Sequence, residues 1–534
     1  LPSLISSLRD VLGPYAQPTE VQRLSIEKIV GGLDTETEDG QGHTSYLLAS
    51  ETGSGKSIAY LLPLVQGLKL SEASNSVLPT PTLKREYNPR SLILAPTHEL
   101  ARQLAKFAKD LTHEEGTRLR VVCVSRGNEA TRVKRGVDGD GADEQRHMMN
   151  MDIAPGDEQE ISSGSPSSRP VDILVGTPTK FLDMVFGKGW DRSGEDEGKD
   201  EDGTRRRRSF ALDPSSALNQ NPGVPRKSSR YARPTLGLSQ IEYIVIDEAD
   251  VLFDEDFRDY TRLLLEEVRK AKAKASEGLE SSYGLSTPDS APTSTNAPAP
   301  SHYPFHLLLS TATIPPSLHT YLQTHHPSLI TLQSSGIHKL PKGVEVERVQ
   351  WTGGNRYSDV EKRLRKVWMD DERGVAIGAS AGVGGISLSK VLIFCNKSST
   401  VTRLGEYLEE KGIRAVTLTS KKQSERLRGS NKHLQGFLRV REKVQRTSAS
   451  SRESSNATEN SPTPSDYTTT PHVLLTTSLL SRGLDFSPDV NHIFIFDEPR
   501  NMVDFLHRAG RTGRAGERGR VVVFGKGGGG RAQD

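Results

Sequence analysis

A glycine-rich run near the start of the chain has the composition of a phosphate-binding loop. It lies between an apolar run and a helical pattern, and its candidate nucleotide-binding residues are Ala49, Ser50, Glu51, Thr52, Gly53, Ser54, Gly55, Lys56 and Ser57. Glycine lets backbone N–H groups wrap around phosphate oxygens, and the helix that follows adds a favourable dipole. Lys56 would reach the β- and γ-phosphates of a nucleotide, and the Ser57 hydroxyl would ligate Mg²⁺. The strict pattern has glycine where this chain has Ser50, and an incidental lysine in a Gly/Ser-rich loop is the alternative.

An acidic motif, Asp247 to Asp250, directly follows the apolar run IEYIVI. At the end of a buried strand, the Asp247 carboxylate would face the phosphate loop and hold Mg²⁺. Its neighbour Glu248 would orient and deprotonate an attacking water. The alternative is an acidic surface turn, which the preceding apolar strand disfavours.

A basic motif, HRAGRTGR, occupies residues 507–514 in the second half. Guanidinium groups at Arg511 and Arg514 would stabilise negative charge that develops on a γ-phosphate. Seen alone, the motif also fits a basic, solvated helix end. The candidate catalytic residues are therefore Lys56, Asp247, Glu248, Arg511 and Arg514, and the candidate metal ligands are Ser57 and Asp247.

Strands that alternate with helices along the chain would position these motifs. Short Val/Ile/Leu-rich runs recur without polar alternation, which is typical of strands buried on both faces of a parallel sheet. Helical patterns such as 57–68, 99–111 and 257–274 lie between them. Strand alternating with helix predicts an open α/β fold, whose ligands bind beyond the carboxyl ends of the strands. The predicted strands are 46–49, 91–95, 171–175, 241–246, 307–309, 391–395, 415–418, 473–475, 492–496 and 520–524.

Composition narrows the class of protein. The 534 residues have room for two or three domains, and the net charge of +2 means that any nucleic-acid site must be a local patch. Cys123 and Cys395 lie in apolar runs and are expected to be reduced core residues of an intracellular protein. No run of 18 apolar residues exists, so no membrane span is expected. The chain begins with Leu1, so we expect the natural N-terminus, with any targeting peptide, to lie outside it.

Five polar stretches interrupt the pattern. They lie at 127–169, 187–234, 272–304, 370–389 and 446–471 and are rich in Gly, Ser, Thr, Pro or charge. Such segments bury too little apolar surface to order themselves, so we predict disordered insertions. The run RRRR at 205–208 would be a nuclear signal, an RNA-binding arm or a solvated loop.

The three motifs in this order resemble those of the DEAD-box RNA helicases of superfamily 2. The resemblance implies an α/β fold with two tandem RecA-like lobes, whose parallel sheets are flanked by helices. It implies an ATP-binding lobe at 1–333, a linker at 334–346 and a C-terminal lobe at 347–534. The runs LLTTSLLSRGLDF and STATIP are most similar to the fungal mitochondrial DEAD-box helicases of large-ribosomal-subunit assembly.

Further matches carry implied roles. The resemblance implies that Gln22 reads the adenine edge of ATP and that Asp485 contacts its ribose. The residues implied to contact RNA are Pro96, Thr97, Arg102, Thr177, Pro178, Lys180, Arg426, Thr476 and Gly483. Those implied to couple ATP to RNA are Thr311, Ala312, Thr313, Asp250 and His507.

The chain departs from the family pattern at positions that the resemblance assigns to RNA binding or to the coupling of ATP to RNA. His98 and Lys180 stand where arginine is usual, which shortens one phosphate contact and removes bidentate geometry from the other. Thr477 replaces aspartate, and Arg126-Gly127 stands near an expected Gly-Gly pair. The hydrolysis set itself is intact.

The expected activity is RNA-stimulated ATP hydrolysis with ATP and Mg²⁺ as cofactors. Single-stranded or short duplex RNA would be held by its sugar–phosphate backbone, independently of sequence, and ribosomal RNA in an assembly particle is a candidate partner. We expect a monomer without a membrane and a mitochondrial location, with a nucleolar ribosome-biogenesis helicase as the alternative. Two further hypotheses are a non-catalytic RNA clamp or scaffold and a DNA translocase.

Overall fold

The computed structural model describes much of the chain and shows two separate parallel sheets. The described residues are 1–34, 43–74, 85–124, 170–187, 190, 234–283, 303–341, 343–373, 388–419, 434, 436–438, 471–478, 484–513 and 517–525. The predicted insertion at 127–169 lies outside them, as do most residues of 187–234 and 446–471, including the RRRR run.

The first sheet belongs to the amino-terminal half. Its strands are β1 (Ser45–Ala49), β2 (Ser91–Leu94), β3 (Val121–Cys123), β4 (Ile173–Gly176), β5 (Tyr243–Ile246), β6 (His306–Thr311) and β7 (Ile330–Gln333). All seven run parallel in the order β3-β4-β2-β5-β6-β1-β7. The helices of this half are α1 (Pro2–Leu12), α2 (Glu20–Asp34), α3 (Lys56–Ser74), α4 (His98–Leu111), α5 (Pro178–Phe186), α6 (Ala249–Leu252), α7 (Arg258–Tyr283) and α8 (Pro316–His325).

The second sheet belongs to the carboxyl-terminal half. Its strands are β8 (Val344–Gln350), β9 (Val391–Cys395), β10 (Ala415–Thr417), β11 (Val473–Thr477), β12 (His492–Ile495) and β13 (Gly519–Gly525). They are also parallel, in the order β10-β11-β9-β12-β13-β8. The described helices are α9 (Arg356–Glu372), α10 (Ser398–Glu410) and α11 (Met502–Ala509).

Each sheet is covered on both faces. Successive residues of one strand enter opposite cores, so that Leu48 and Ile93 pack in one hydrophobic cluster while Leu47 and Leu92 pack in another. The second half repeats this arrangement with two further clusters. Burial on both faces explains why the sequences of the central strands lack polar alternation. The predicted α/β fold with two helix-flanked parallel sheets is confirmed.

Two of the predicted insertions include residues that the structure shows to be helical. Helix α7 continues through 272–283, so these residues are helical rather than disordered. The run is rich in Ala and Lys, which favour helix, and Lys272 Nζ donates to the Ile241 carbonyl at 2.6 Å. Similarly, α9 includes 370–372, and the Ser389 amide donates to Asp371 Oδ2 at 2.8 Å, so both ends of the 370–389 segment are fixed.

Three strands are missing from the predicted set, and all of them lie at sheet edges: β3, β7 and β8. Strand β8 has the sequence VEVERVQ, is partly exposed along its length and lies at an edge of its sheet. Strand β7 is also an edge strand, and only Leu332 of its four residues is buried. Edge strands need no continuous apolar run, because one side of each faces no neighbouring strand. The first residues of β8 fall inside the segment predicted as linker at 334–346, and the domain bounds themselves stay predictions.

Neither cysteine is in a disulfide. Among the described helices, none combines the length and apolar character needed to span a bilayer.

Candidate active site

The phosphate loop connects β1 to α3 and curls around the side chain of Lys56. Gly53 and Gly55 have φ angles of +79° and +89°, a left-handed backbone that favours glycine. The Lys56 ammonium donates to the carbonyl oxygens of Ser50 at 2.7 Å and Glu51 at 2.8 Å. Burial lowers the pKa of Lys56, and the nearby Glu248 carboxylate opposes that shift.

Gln22 fixes helix α2 against this loop. Its Nε2 donates to the Gly55 carbonyl at 3.1 Å, and its Oε1 accepts from the Thr19 amide at 3.0 Å. The φ of +89° at Gly55 would strain any other residue, and a Cβ there would also press against Gln22 Nε2. The predicted adenine-reading side chain is therefore held directly beside the loop.

The carboxylates Asp247 and Glu248 lie at the carboxyl end of β5. Asp247 is 6% exposed, and burial together with the Glu248 charge raises its pKa to about 6. Tyr60 of α3 donates its hydroxyl hydrogen to Asp247 Oδ2 at 3.2 Å. Tyr60 is a site residue that the sequence did not reveal, because its side chain lies one helical turn beyond the motif.

Glu248 has a strained backbone. Its φ of +53° lies in the left-handed region, which is uncommon for a residue with a Cβ. The Glu248 amide donates to Asp247 Oδ1 at 3.1 Å, and Glu248 precedes the short helix α6. Such strain persists only where the surroundings fix it, and it often occurs at active sites.

The second half of the chain contributes directly to this site. Arg511 Nη2 lies 3.9 Å from Glu248 Oε1, and its Nε donates to the His507 carbonyl at 2.9 Å. His507 Nε2 lies 3.1 Å from Asp250 Oδ2, which also accepts from Thr313 Oγ1 at 2.7 Å. All of these side chains are buried. The motifs of the two halves, far apart in sequence, therefore meet.

The threonines after β6 complete this junction. Thr311 Oγ1 donates to the Thr313 carbonyl at 2.7 Å, which closes a tight turn around Ala312. Thr313 Oγ1 also lies 3.4 Å from His507 Nε2. Four of the five predicted coupling residues thus form one contact network across the two halves, and Ala312 lies in the turn that Thr311 closes.

Two further contacts join the halves. Thr52 Oγ1 of the phosphate loop donates to the Gly510 carbonyl at 3.0 Å, and a Cβ at Gly510 would lie 2.0 Å from that hydroxyl. Gln103 of α4 makes a bidentate contact with the backbone of Asp485, accepting from its amide at 2.9 Å and donating to its carbonyl at 3.4 Å. Gln103 was missed as a site residue, although it ends the motif PTHELARQ.

The predicted RNA-contacting residues that the structure describes lie at carboxyl ends of strands or in the helices that follow. Thr97 caps α4 by accepting from the Leu100 amide at 3.3 Å, and Pro178 begins α5. The members at these ends are Pro96 and Thr97 after β2, Thr177 and Pro178 after β4, and Thr476 in β11; Arg102 lies in α4 and Lys180 in α5. Arg426, Gly483 and Arg514 lie outside the described residues, as does Arg126-Gly127.

Comparison with known proteins identifies the family. A family model described as DEAD/DEAH box helicase matches residues 19–320, and one described as helicase conserved C-terminal domain matches residues 433–516. The chain belongs to the DEAD/DEAH box helicase family. The enzyme is thus an ATP-dependent RNA helicase, as the sequence predicted.

Curated relatives refine this placement. The chain is similar to "ATP-dependent RNA helicase MRH4, mitochondrial" of Cryptococcus neoformans, with 31% identity over 98% of this chain and 81% of that one. The protein of the same name from Pyricularia oryzae is 24% identical over 95% of this chain and 67% of that one. The predictions of a fungal mitochondrial type of DEAD-box helicase and of a mitochondrial location are confirmed.

A solved structure supports the fold. "S. cerevisiae Dbp5 bound to RNA and ADP BeF3" has a TM-score of 0.51 and 15% identity, covering 99% of this chain and 88% of that chain. At this identity the likeness concerns the two RecA-like lobes alone.

Proposed function

We propose that this helicase hydrolyses ATP when RNA draws its two lobes together, and that it remodels RNA in mitochondrial RNA metabolism or large-ribosomal-subunit assembly. The observation that carries the proposal is the position of Arg511. This second-lobe guanidinium lies 3.9 Å from Glu248 of the first lobe, beside the phosphate loop. A complete hydrolysis site therefore exists only where the lobes are together.

Each side chain then has a defined task. Gln22 reads the adenine edge, and the loop residues from Ala49 to Ser57 hold the phosphates, with Lys56 turning from its own loop carbonyls towards them. Glu248 orients and deprotonates water, while Arg511 and Arg514 stabilise charge on the γ-phosphate.

The donor set around Asp247 fits a magnesium ion. Tyr60 donates its hydroxyl hydrogen to Asp247 Oδ2, and Ser57 precedes Tyr60 by one turn of α3, so a hydroxyl and a carboxylate oxygen lie on the same side of the phosphate loop. Mg²⁺ prefers such hard oxygen ligands. The ion would neutralise phosphate charge when bound. It would also offset the burial that makes ionised Asp247 costly, so Ser57 and Asp247 are the residues that would hold it.

RNA would lie across both lobes along the carboxyl strand ends. Thr97 and Thr177 precede helices, whose first amides and dipoles favour phosphate oxygens. Contacts to the sugar–phosphate backbone recognise RNA without base specificity, and the 2′-OH distinguishes it from DNA. If RNA and ATP both favour closure, each must raise the affinity for the other. We propose a monomeric enzyme that acts on single-stranded or short duplex RNA, with ribosomal RNA in an assembly particle as a candidate.

The test is ATP turnover with and without single-stranded RNA, beside Glu248→Gln and with single-stranded DNA for comparison. We expect RNA to stimulate turnover, DNA to stimulate it less, and Glu248→Gln to reduce it by at least about 100-fold, the lower end for a general base. Glu248→Gln keeps the size of the side chain, so a matching thermal transition would exclude misfolding. Equal stimulation by DNA would favour a DNA translocase, and RNA binding without turnover would favour a scaffold.

A further inference from the structure

Three successive residues that follow β7 lie against the nucleotide-binding elements. We call Ser334, Ser335 and Gly336 the linker seat, because they begin the segment that leads to the second lobe. The Ser334 amide donates to the Ala49 carbonyl at 2.9 Å, and its hydroxyl donates to Ser50 Oγ at 2.8 Å. Ser50 is 1% exposed and Ser334 is 3% exposed, so this hydroxyl pair is sheltered from water.

The other two seat residues touch the same elements. Ser335 donates from its amide to Glu20 Oε1 at 3.2 Å and from its hydroxyl to Oε2 at 3.1 Å. Glu20 is the first residue of α2, the helix that presents Gln22 to the phosphate loop. At Gly336, a Cβ would lie 2.0 Å from Glu51 Oε2. The seat thus contacts both the loop and the adenine-side helix.

Lys56 connects the seat to phosphate binding. The two carbonyls that hold its ammonium belong to Ser50 and Glu51. These are the residues whose side chains contact Ser334 and Gly336. A phosphate that draws Lys56 away removes the cation that fixes the 50–51 backbone, so that backbone can shift against the seat.

We infer that the linker seat transmits phosphate binding from the loop to the segment that joins the lobes, with Ser334 as a positioning residue. The inference rests on the proposed role of Lys56 in holding phosphate. Beyond the seat, His338 has a φ of +62°, and Leu340 packs against a core cluster of the second lobe. A small shift at Ser334 would therefore change the direction in which the second lobe is held.

The serine at position 50 makes the contact between the phosphate loop and the linker seat possible. The strict phosphate-loop pattern has glycine there, and glycine has no hydroxyl to accept from Ser334. In this chain Ser50 supplies one, in a buried place where an unmade hydrogen bond is costly.

The experiment compares Ser334→Ala with wild type in the full chain, with KM for ATP measured without RNA and with saturating single-stranded RNA. The KM ratio is defined as KM for ATP without RNA divided by KM for ATP with saturating RNA. Coupling between two ligands commonly amounts to roughly 5–150-fold, so we expect Ser334→Ala to reduce this KM ratio by about threefold or more. Turnover at saturating ATP and RNA should stay within about twofold, because Ser334 touches no reacting group.

Ser389→Ala is the matched control. Ser389 is also a buried serine with a hydroxyl hydrogen bond, to Asp371, and it lies in the second lobe. It should lose comparable stability but keep the KM ratio. Ser50→Ala combined with Ser334→Ala should lower the ratio no further than Ser334→Ala does, because both remove one interaction.

A wild-type KM ratio in Ser334→Ala, or a loss no larger than in Ser389→Ala, would overturn the inference. Absence of RNA-stimulated turnover in the wild type would instead overturn the proposed function. In that case the affinity of a fluorescent ATP analogue, with and without RNA, supplies the ratio for the same variants.

Discussion

At the scale of single residues, burial decides how the site titrates. Asp247 is almost fully buried and adjoins Glu248, so its ionised form is destabilised, and its pKa is raised to about 6 from a usual 3.8. The folded protein therefore binds this proton more tightly than the unfolded chain does. Its contribution to stability is present at low pH and is lost as the pH rises through about 6.

Asp247→Asn should for this reason stabilise the protein at pH 8 and do so much less at pH 4. The rise in the pKa of Asp247 from 3.8 to about 6 corresponds to about 3 kcal/mol of stability lost at pH 8. Because Glu248 stays charged and buried, the substitution recovers only part of it, and we expect a gain of about 1–3 kcal/mol at pH 8. Urea unfolding at the two pH values measures it, and RNA-stimulated turnover should be lost.

Asp359 provides a control of opposite sign. Its hydrogen bond from Thr352 lowers the pKa of Asp359, so its contribution to stability is present above the usual pKa of Asp and is lost as the pH falls. Asp359→Asn should thus lose stability at pH 8. If Asp247→Asn had the same effect at both pH values, the buried-charge explanation would be wrong.

At the scale of elements, the loops at the carboxyl strand ends make the contacts between the lobes. Helix α4 reaches the second lobe through Gln103, and the phosphate loop reaches it through Thr52. These loops also carry the predicted ATP and RNA residues. Parallel sheets place all of these ends on one edge, so two such edges that face each other form a composite site.

Gln103→Ala should weaken lobe closure without touching ATP. It removes two hydrogen bonds to the Asp485 backbone, each worth about 0.5–1.5 kcal/mol, so we expect KM for ATP in the presence of RNA to rise by about 5- to 150-fold. KM without RNA should change little. Gln323→Ala, on the exposed face of α8, is the control, and a rise of similar size there would argue against a specific role.

At the scale of the whole molecule, the two lobes share one site, so a ligand that binds either lobe changes how strongly the lobes are held together. The Asp485 amide donates to Gln103 of the other lobe, and its exchange with solvent therefore reports whether the lobes are together. Because the net charge is only +2, this coupling depends on local contacts rather than on the electrostatic field of the whole molecule.

Hydrogen exchange at Asp485 should slow by about tenfold or more when single-stranded RNA and a non-hydrolysable ATP analogue are both present, because a coupling of about 1.4 kcal/mol has that size. Either ligand alone should slow it much less. The Leu418 amide, which donates to the Leu475 carbonyl within the second lobe, should keep its rate throughout. Full protection by ATP alone would contradict RNA-driven closure.

The local chemistry of the site was predictable from the sequence. The phosphate loop, the Asp247–Asp250 motif and most strands were recognised because glycine conformation, strand burial and helix starts depend on a few neighbouring residues. Helix α7 continues to Tyr283, beyond its predicted end at residue 274, and edge strand β8 was not predicted because its exposed face needs no apolar run.

Only the tertiary structure decided which residues of the two lobes meet. Nothing in the spacing of Gln103 and Asp485, or of Thr52 and Gly510, indicates a contact across several hundred residues of chain. Such contacts arise where two parallel sheets bring their carboxyl edges together, and that packing depends on the whole core rather than on any local run. The sequence by itself determined the family, the fold and the ATP motifs, whereas the lobe-to-lobe network became visible only in three dimensions.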